Sequence, residues 1–585
     1  MRGVSIKYGD VAPDAKENFV ASSEQSKYDT LSQLQQYNVK YTKFANPCEM
    51  YQTVLDGTAT AFPSNPEKNN LGLWSEPISG ENGNFDVPIV LELESDGQYT
   101  SQGLTLTFDT FDGIYATRLN IKWMRITQEG IAVLAEHDFE PNAAFYFCRN
   151  FVENYNKVTI TFYSINMPRN RLKLQAIDYG YGTYFSGEEL RGVKLIQEID
   201  PISSQISINT ADFTFNSKSD MEYSFQTKQP LSVYYNGELK ATTFVKSSKR
   251  KSRFLWEVKS EDYIGVLDSI PYYGGMYNNS LATNIIADIF AVAKVPYYIT
   301  DEFDGVSVTG YIPYTTCRAA LMQVAFAIQA VVDTSNSDVV KIFALNNEIT
   351  QTISLDRIYT GQNFNVVEPI TGVEVAVHTY QPMEFVEANF LMAYDAANDG
   401  VGDNILVKFP EPLHGVYAIN DCEIVKVHDN YAIINAKSTK SRLAGCKYEH
   451  TTQIRRKNRN DIGASTLEKV VAVQNATLIS NTNIENVITK CFEWLTRTQT
   501  TNLKIAERKY VEYGKSHKYG TGLKYGTGLK YGGKKEDVIT YDAPVNVGDK
   551  INAETEFLGT LVGKTIIRQS FNLNGNIVIK EAAIK

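Results

Sequence analysis

A chain of 585 residues exceeds what one hydrophobic core serves, and ordinary domain sizes divide it into roughly three or four parts. Its 43% hydrophobic and 12% aromatic content excludes a disordered protein, and 67 acidic against 57 basic residues, a formal charge of −10, argue against a dedicated nucleic-acid binder. The aromatics are 36 Tyr and 28 Phe against 4 Trp. With many Val, Ile and Thr, that balance predicts a mainly β chain with a few helices, an α+β fold.

The first residues, MRGVSIKYGD, lack the apolar core of a secretory signal. The most apolar stretch, AALMQVAFAIQAVV at 319–332, is too short and too interrupted by Gln to span a bilayer. A soluble chain without membrane insertion is expected. Residues 1–45 read as an arm in which EQSKYDTLSQLQQYN (24–38) forms one polar helix or an ordered extension. From 46 to 180 the text is strand-like. FDVPIVLELESDGQYTSQGLTLTFDTF predicts two strands joined by a turn region at Asp96-Gly97, and ATRLNIKWMR, KVTITFYSINMP and RLKLQAIDYG continue the alternation as a β-sandwich.

Residues 181–360 open with the strands QISINTADFTF, PLSVYYNGELKATTFVK and RFLWEVKSEDYIGVL, with a hairpin at Asn236-Gly237. Two helices follow. NSLATNIIADIFAVA has Ser280 as candidate N-cap and Leu281, Ile285, Ile289 and Ala293 on one face. TTCRAALMQVAFAIQAVV places Leu321, Val324, Ile328 and Val331 on another, and DVVKIFAL closes the unit as a strand. Residues 361–585 return to strands in GVEVAVHTY, NILVKFP and DCEIVKVHDNYAIINAK, and then a helix starts at Asn483 over IENVITKCFEWLTR. The remainder is β text predicting a small barrel or sheet. Within it a Tyr-Gly repeat (513–535) recurs every six residues, at Tyr513, Tyr519, Tyr525 and Tyr531. Six helical steps leave an offset of about 240°, whereas an even number of steps keeps one face of an extended chain. The repeat therefore predicts a long hairpin or its cap, with Tyr519, Tyr525 and Tyr531 as candidate subunit contacts; a mobile Gly-rich loop is the alternative.

The search for chemistry yields little. HExxH, GxSxG and the Walker pattern do not occur, and the Gly-rich stretches GYGTYFSG and YGTGLKYG miss the dinucleotide spacing. Cys48, Cys148, Cys317, Cys422, Cys446 and Cys491 form no CxxC pair and read as reduced, mostly buried thiols. Cys422, His428, Cys446 and His450 invite a zinc reading, but a strand through DCEIVKVHDN would hold its ends roughly 20 Å apart, and ligands must each lie about 2 Å from the ion. No catalytic residue, metal or cofactor is expected. The basic runs KSSKRKSR (246–253) and RRKNR (455–459) read as a solvated hairpin tip and a solvated loop. Asp109, Asp112 and Glu140 lie in or near sandwich loops where a calcium ion or a sugar would find ligands. Trp74 and Trp123 are candidates for stacking on a glycan, or else buried sandwich aromatics.

Two stretches carry a family resemblance. LDGTATAF…GLWSEPISGENGNFDVPIVLELE…SQGLTLTFD…YNKVTITFYSINMPRNRLKLQAIDYG resembles the N-terminal, galactose-binding-like jelly-roll β-sandwich of tail and baseplate proteins from phages of Gram-positive bacteria. ISINTADFTFNS…QPLSVYYNGELKATTFVKSSKRKSRFLWEVKSEDYIGVLDSIPYYGG, with YIPYTTCRAALMQVAFAI, is similar to the barrel-like hub domains of contractile tails. Its marks are an Asp-x-x-(Gly)-x-Leu-Asp turn, here Asp262, Gly265, Leu267 and Asp268, and a second helix opening at 313–318 as PYTTCR. The resemblance covers 55–345 and implies a non-enzymatic baseplate hub, in a phage or a tail-like bacteriocin. It implies a homotrimer between the tail tube and spike proteins and beside wedge proteins, assembled in the bacterial cytoplasm and residing in the virion tail baseplate. Many relatives carry a peptidoglycan hydrolase on the same chain; here the text reaches the strand FNLNGNIVIK (571–580) and a few more residues, and no such domain is expected. The competing expectation is an adhesin binding cell-wall carbohydrate through the sandwich.

Overall fold

Alternating apolar residues build an antiparallel sheet of seven strands, five of them between 84 and 178 and two short ones at Val20–Ser22 and Leu73–Trp74. The computed structural model describes residues 4–11, 15–27, 31, 34, 72–109, 112–127, 130–187, 189–217, 229–235, 238–346, 348–358, 363–366, 368–460, 467–473, 476–497, 499–505, 509–513, 537–541, 545–555, 559–574 and 577–585. The chain is mainly β with a few helices, and it divides into two compact units. The smaller unit is residues 6–185 with 222–231 and contains the seven-stranded sheet.

The expected turn at Asp96-Gly97 does not divide its strand. Residues Asn84–Phe108 form one strand that pairs along its length with Phe145–Ile165, with register shifts between 94 and 103. Before these shifts the odd positions Ile89, Leu91 and Leu93 face the core; after them the even positions Leu104, Leu106 and Phe108 do. Bulges insert residues, and a one-residue slip exchanges the two faces of a strand. Gly103 belongs to this irregularity: its φ is +136°, and a Cβ there would lie 2.1 Å from the Cys148 carbonyl oxygen. The 24–38 helix falls largely outside the described residues; Glu24 and Gln25 form a turn and Ser26 a bridge to Ser75.

The larger unit is Met1–Ser5, Ser186–Met221 and Ser232–Lys585. Its main sheet runs in the order Asn363–Val366, Gln499–Ile505, Ile577–Ile584, Gly559–Asn574, Leu190–Glu198, Thr210–Asn216, Leu255–Glu261 and Glu238–Arg250. The strands near 190–261 and those near 499–584 thus share one sheet, joined where Val193 pairs Leu573 and Glu198 pairs Arg568. The helices Ala282–Ala293, Cys317–Ile328 and Ile484–Leu495 pack in one core with Val373, Val375 and Val377. Ile285, Ile286, Ile289 and Phe290 are buried at helical spacing, as are Leu321, Val324 and Ala325. Among the described residues no helix is long and apolar enough to cross a membrane.

The helix ends show which backbone groups needed help. Thr316 caps Cys317–Ile328 by accepting from the Ala319 N–H at 3.2 Å. Ser280, expected as a cap, instead lies in the strand Gly275–Leu281, and Leu281 occupies the cap position with its side chain 41% exposed. The strand runs directly into the helix, and the Ala282 N–H donates to the Val306 carbonyl at 2.9 Å, a neighbour's backbone doing the cap's work. Asn483 does precede Ile484–Leu495, but its side chain does not bond that helix. It accepts from the Ser480 N–H at 2.9 Å and donates to the carbonyls of Leu478 at 3.0 Å and Ala327 at 3.3 Å, tying two helices together.

A third core lies under the strands Phe390–Asp395, Gly402–Lys408, Leu413–Ile419 and Tyr431–Ala436. The first four residues of the RRKNR run, expected as a loop, belong to the strand Arg442–Asn458 and pair with Gly372–Pro382, because KYEHTTQI carries the strand into them. The repeat at 514–536 lies outside the described residues, Tyr519, Tyr525 and Tyr531 included; its flanks Lys509–Tyr513 and Asp537–Tyr541 pair antiparallel, Tyr513 with Asp537.

The Asp262 turn is a helix start. Asp262 Oδ1 accepts from the N–H groups of Ile264 at 3.0 Å and Gly265 at 3.3 Å, opening the helix Tyr263–Asp268. Its Oδ2 accepts from the Thr334 hydroxyl at 2.5 Å. Burial, opposed by these hydrogen bonds, pushes its pKa up to about 7. The fold therefore favours the protonated acid, so this group's contribution is full below pH ~4 and declines as pH rises towards ~7. Asp262→Asn keeps the capping acceptor and removes the titration. Denaturation at a series of pH values should show wild type losing a few kcal/mol (~3) relative to the variant between about pH 4 and pH 8; parallel curves would contradict this account.

Candidate functional site

Three of the four candidate glycan residues converge on one buried lysine, Lys173. Trp74, in the short strand Leu73–Trp74, pairs with Lys173 at the start of Lys173–Asp178. On the next strand Phe108 pairs with Leu174, which brings Asp109 and the following turn beside the lysine. Lys173 Nζ lies 3.4 Å from Asp109 Oδ2, 3.6 Å from Asp112 Oδ2 and 4.7 Å from the centre of the Trp74 ring. The Lys173, Asp109 and Asp112 side chains are 3%, 5% and 9% exposed.

Two carboxylates in this setting need a counter-cation, and the chain supplies one. The ammonium occupies the place that a calcium ion or a sugar's donor groups would take, and the indole face adds a cation–π contact. Trp123 stands elsewhere, fully buried in the core and edge-on to Phe139 at 6.3 Å. Neither ring is presented to solvent, so glycan stacking on Trp74 or Trp123 would need this unit to open. Glu140 is exposed. The signal for Lys173 was present in RLKLQAIDYG: every residue of 171–180 is buried, so a charged residue between Leu172 and Leu174 had to be partnered. Asp178 ends the same strand under the same constraint. Burial alone would raise its pKa, but the ammonium groups of Lys16 at 2.8 Å and Lys7 at 3.2 Å prevail and hold it below the usual carboxylate range.

The cysteine and histidine residues do not gather. Cys422 lies on the strand Cys422–Val427, and His428 stacks on Tyr431 at 4.8 Å. Cys446 Sγ donates to the carbonyls of Met383 and Glu384, while His450 lies 2.9 Å from His378, Nε2 to Nδ1, and stacks on Tyr380. Among the described residues no three His, Cys, Asp or Glu side chains are grouped to hold a metal ion. The five described cysteines are free thiols, and burial raises the pKa of Cys148, of Cys317 to about 11, of Cys422, and of Cys491 to about 12. These four stay protonated near neutral pH, the inert form of a thiol.

The basic runs are met by carboxylates. Lys246 pairs with Glu261 and Lys251 with Glu257, both at 2.7 Å across the Glu238–Arg250 hairpin, and Arg250 lies over Trp256 at 5.3 Å. Arg456 pairs with Glu468 and with Glu374.

No protein-family model matches the chain, and no curated protein matches it. Solved structures of three tail proteins are similar to it. The tail protein of Neisseria meningitidis MC58 aligns over 68% of this chain and 92% of its own, at 10% identity and a TM-score of 0.40. The 43 kDa tail protein of prophage MuSo2 from Shewanella oneidensis aligns over 69% and 94%, at 8% identity and a TM-score of 0.40. Prophage tail protein gp18 of Listeria monocytogenes EGD-e aligns over 69% and 90%, at 9% identity and a TM-score of 0.36.

Lys173→Met should leave Asp109 and Asp112 buried without their cation and destabilise the smaller unit by about 3–5 kcal/mol. Denaturant unfolding followed by tryptophan fluorescence measures this. Millimolar calcium should leave the wild-type transition unmoved, since the cation position is filled; a calcium-dependent rise would show instead that the site opens to metal.

Proposed function

We propose that this chain is a non-catalytic structural component of a phage tail or tail-like bacteriocin, the hub of a contractile baseplate. In this reading it forms a homotrimer between tail tube and spike, contacts wedge proteins, and is assembled in the bacterial cytoplasm. The observation that carries the reading is the segment 205–328, where the family resemblance lies. Its strands Thr210–Asn216, Glu238–Arg250 and Leu255–Glu261 are hydrogen-bonded neighbours, Asp262 starts a helix at their end, and the helices Ala282–Ala293 and Cys317–Ile328 pack in one core. That is the order of elements the resemblance implies for a hub domain.

Chemistry at the described thiols does not compete with this reading, because burial keeps those with raised pKa values protonated. The adhesin alternative asks Trp74 and Trp123 to stack on sugar, and they are 5% and 0% exposed. Light scattering of the purified full chain should give three times the chain mass. Cryo-microscopy of the parent particle should place its density at the end of the tube nearest the spike. A stable monomer that joins no particle would overturn the proposal.

A further inference from the structure

A cleft of about 790 Å³ in the larger unit has no role in the reading above. One wall is a stripe of the helix Ile484–Leu495 and its continuation: Asn486, Lys490, Glu493, Trp494 and Arg497 all line it, the spacing of one helical face. Ile202, Val306, Ala327 and Leu345 supply an apolar wall, and Glu493 is the one carboxylate in the lining among the described residues.

The cations at this stripe are crowded. Arg497 lies 4.7 Å and the Lys585 ammonium 5.1 Å from the centre of the Trp494 ring. Lys490 donates to the Gln329 carbonyl, the left-handed end of the helix Cys317–Ile328. Burial, and then repulsion from Arg497, lowers the pKa of Lys564. Arg497 Nη1 donates to the main-chain oxygen of Lys585 at 3.4 Å, and among the described residues no Asp or Glu side chain lies at ion-pair distance from Lys490, Arg497, Lys564 or Lys585. Burial, with repulsion from Arg497 for Lys564 and Lys585, lowers the pKa of these groups, and Asp200, Glu302 and Glu493 offset it only in part. Half-buried cations that no Asp or Glu side chain pairs gain from an anion that enters, and a cleft with low-dielectric walls focuses that attraction.

We propose that the cleft receives an acidic segment of a partner protein chain, a Glu or Asp carboxylate on Arg497 and Lys490 with an apolar neighbour against Ile202 and Leu345. A volume of this size holds a few side chains and no nucleic-acid duplex. The inference does not rest on the tail reading; a chain that proved monomeric would still carry the cleft.

The test uses the full chain labelled with 5-fluorotryptophan, whose four indoles give separate fluorine resonances, with Trp494 assigned through Trp494→Phe. A blocked peptide Leu-Glu-Leu-Asp-Leu should shift the Trp494 resonance saturably, leave the buried Trp123 resonance in place, and weaken with salt. Arg497→Gln, with the Trp123 resonance unmoved as proof of folding, should weaken binding about tenfold or more. The neutral peptide Leu-Gln-Leu-Asn-Leu should give no shift. Equal binding of the two peptides, indifference to Arg497→Gln, or no shift at millimolar peptide would each overturn the proposal. So would a shift caused by inorganic phosphate or a short oligonucleotide but not by the acidic peptide.

Discussion

A buried carboxylate holds the first half of the larger unit in register. Asp262 is 1% exposed and sits where a strand of the main sheet becomes a helix. Its N–H donates to the Asn209 carbonyl, and its oxygens accept from two helix N–H groups and from Thr334. Asn209 donates to Thr334 at 2.8 Å and accepts from the Glu198 N–H at 2.8 Å, so the bonds join two strands, a helix start and the segment 333–335. An unsatisfied buried polar group costs about 1–3 kcal/mol, so no member can shift alone without orphaning another. A local turn motif thereby sets a non-local arrangement.

The smaller unit solves the same problem with charge. Lys173 pairs with Asp109 and Asp112, and Lys16 and the partly exposed Lys7 pair with the buried Asp178. Such clusters are poor sources of net stability but severe when broken, since removing one partner strands the other. They also bear on recognition. Acidic side chains beside an aromatic ring look like a sugar or calcium site in one dimension; in three, the chain's own ammonium fills it.

What the sequence reveals here follows from interaction range. The alternation of 116–125 and 157–165 is local and maps directly onto strands, as does the Thr316 cap three residues before the Ala319 N–H it serves. Ser280 misled because a cap can be replaced by a neighbour's carbonyl, here Val306, which no local pattern records. The 25-residue strand Asn84–Phe108 concealed itself because Asp-Gly is a turn signal only where the chain reverses, and bulges let it continue. Lys173 escaped because its partners lie more than sixty positions away in the chain. Its one trace was a charged residue in a run too apolar to be half-exposed.

Charge shows the same divide between runs and gatherings. KSSKRKSR and RRKNR draw the eye, yet Glu257 and Glu261 on the same hairpin answer the first and Glu374 on the paired strand Gly372–Pro382 answers the second. The cations at the cleft and over Trp494 come from positions 490, 497 and 585 and form no run at all, and among the described residues no Asp or Glu side chain lies at ion-pair distance from them. On a chain of net charge −10, two copies or two acidic proteins repel at a distance and attract only where a positive recess meets a negative projection. A recess of that kind gives association a direction, since it selects one face of this chain. Building it from scattered residues ties it to the folded state, because the unfolded chain has no basic segment there to bind with.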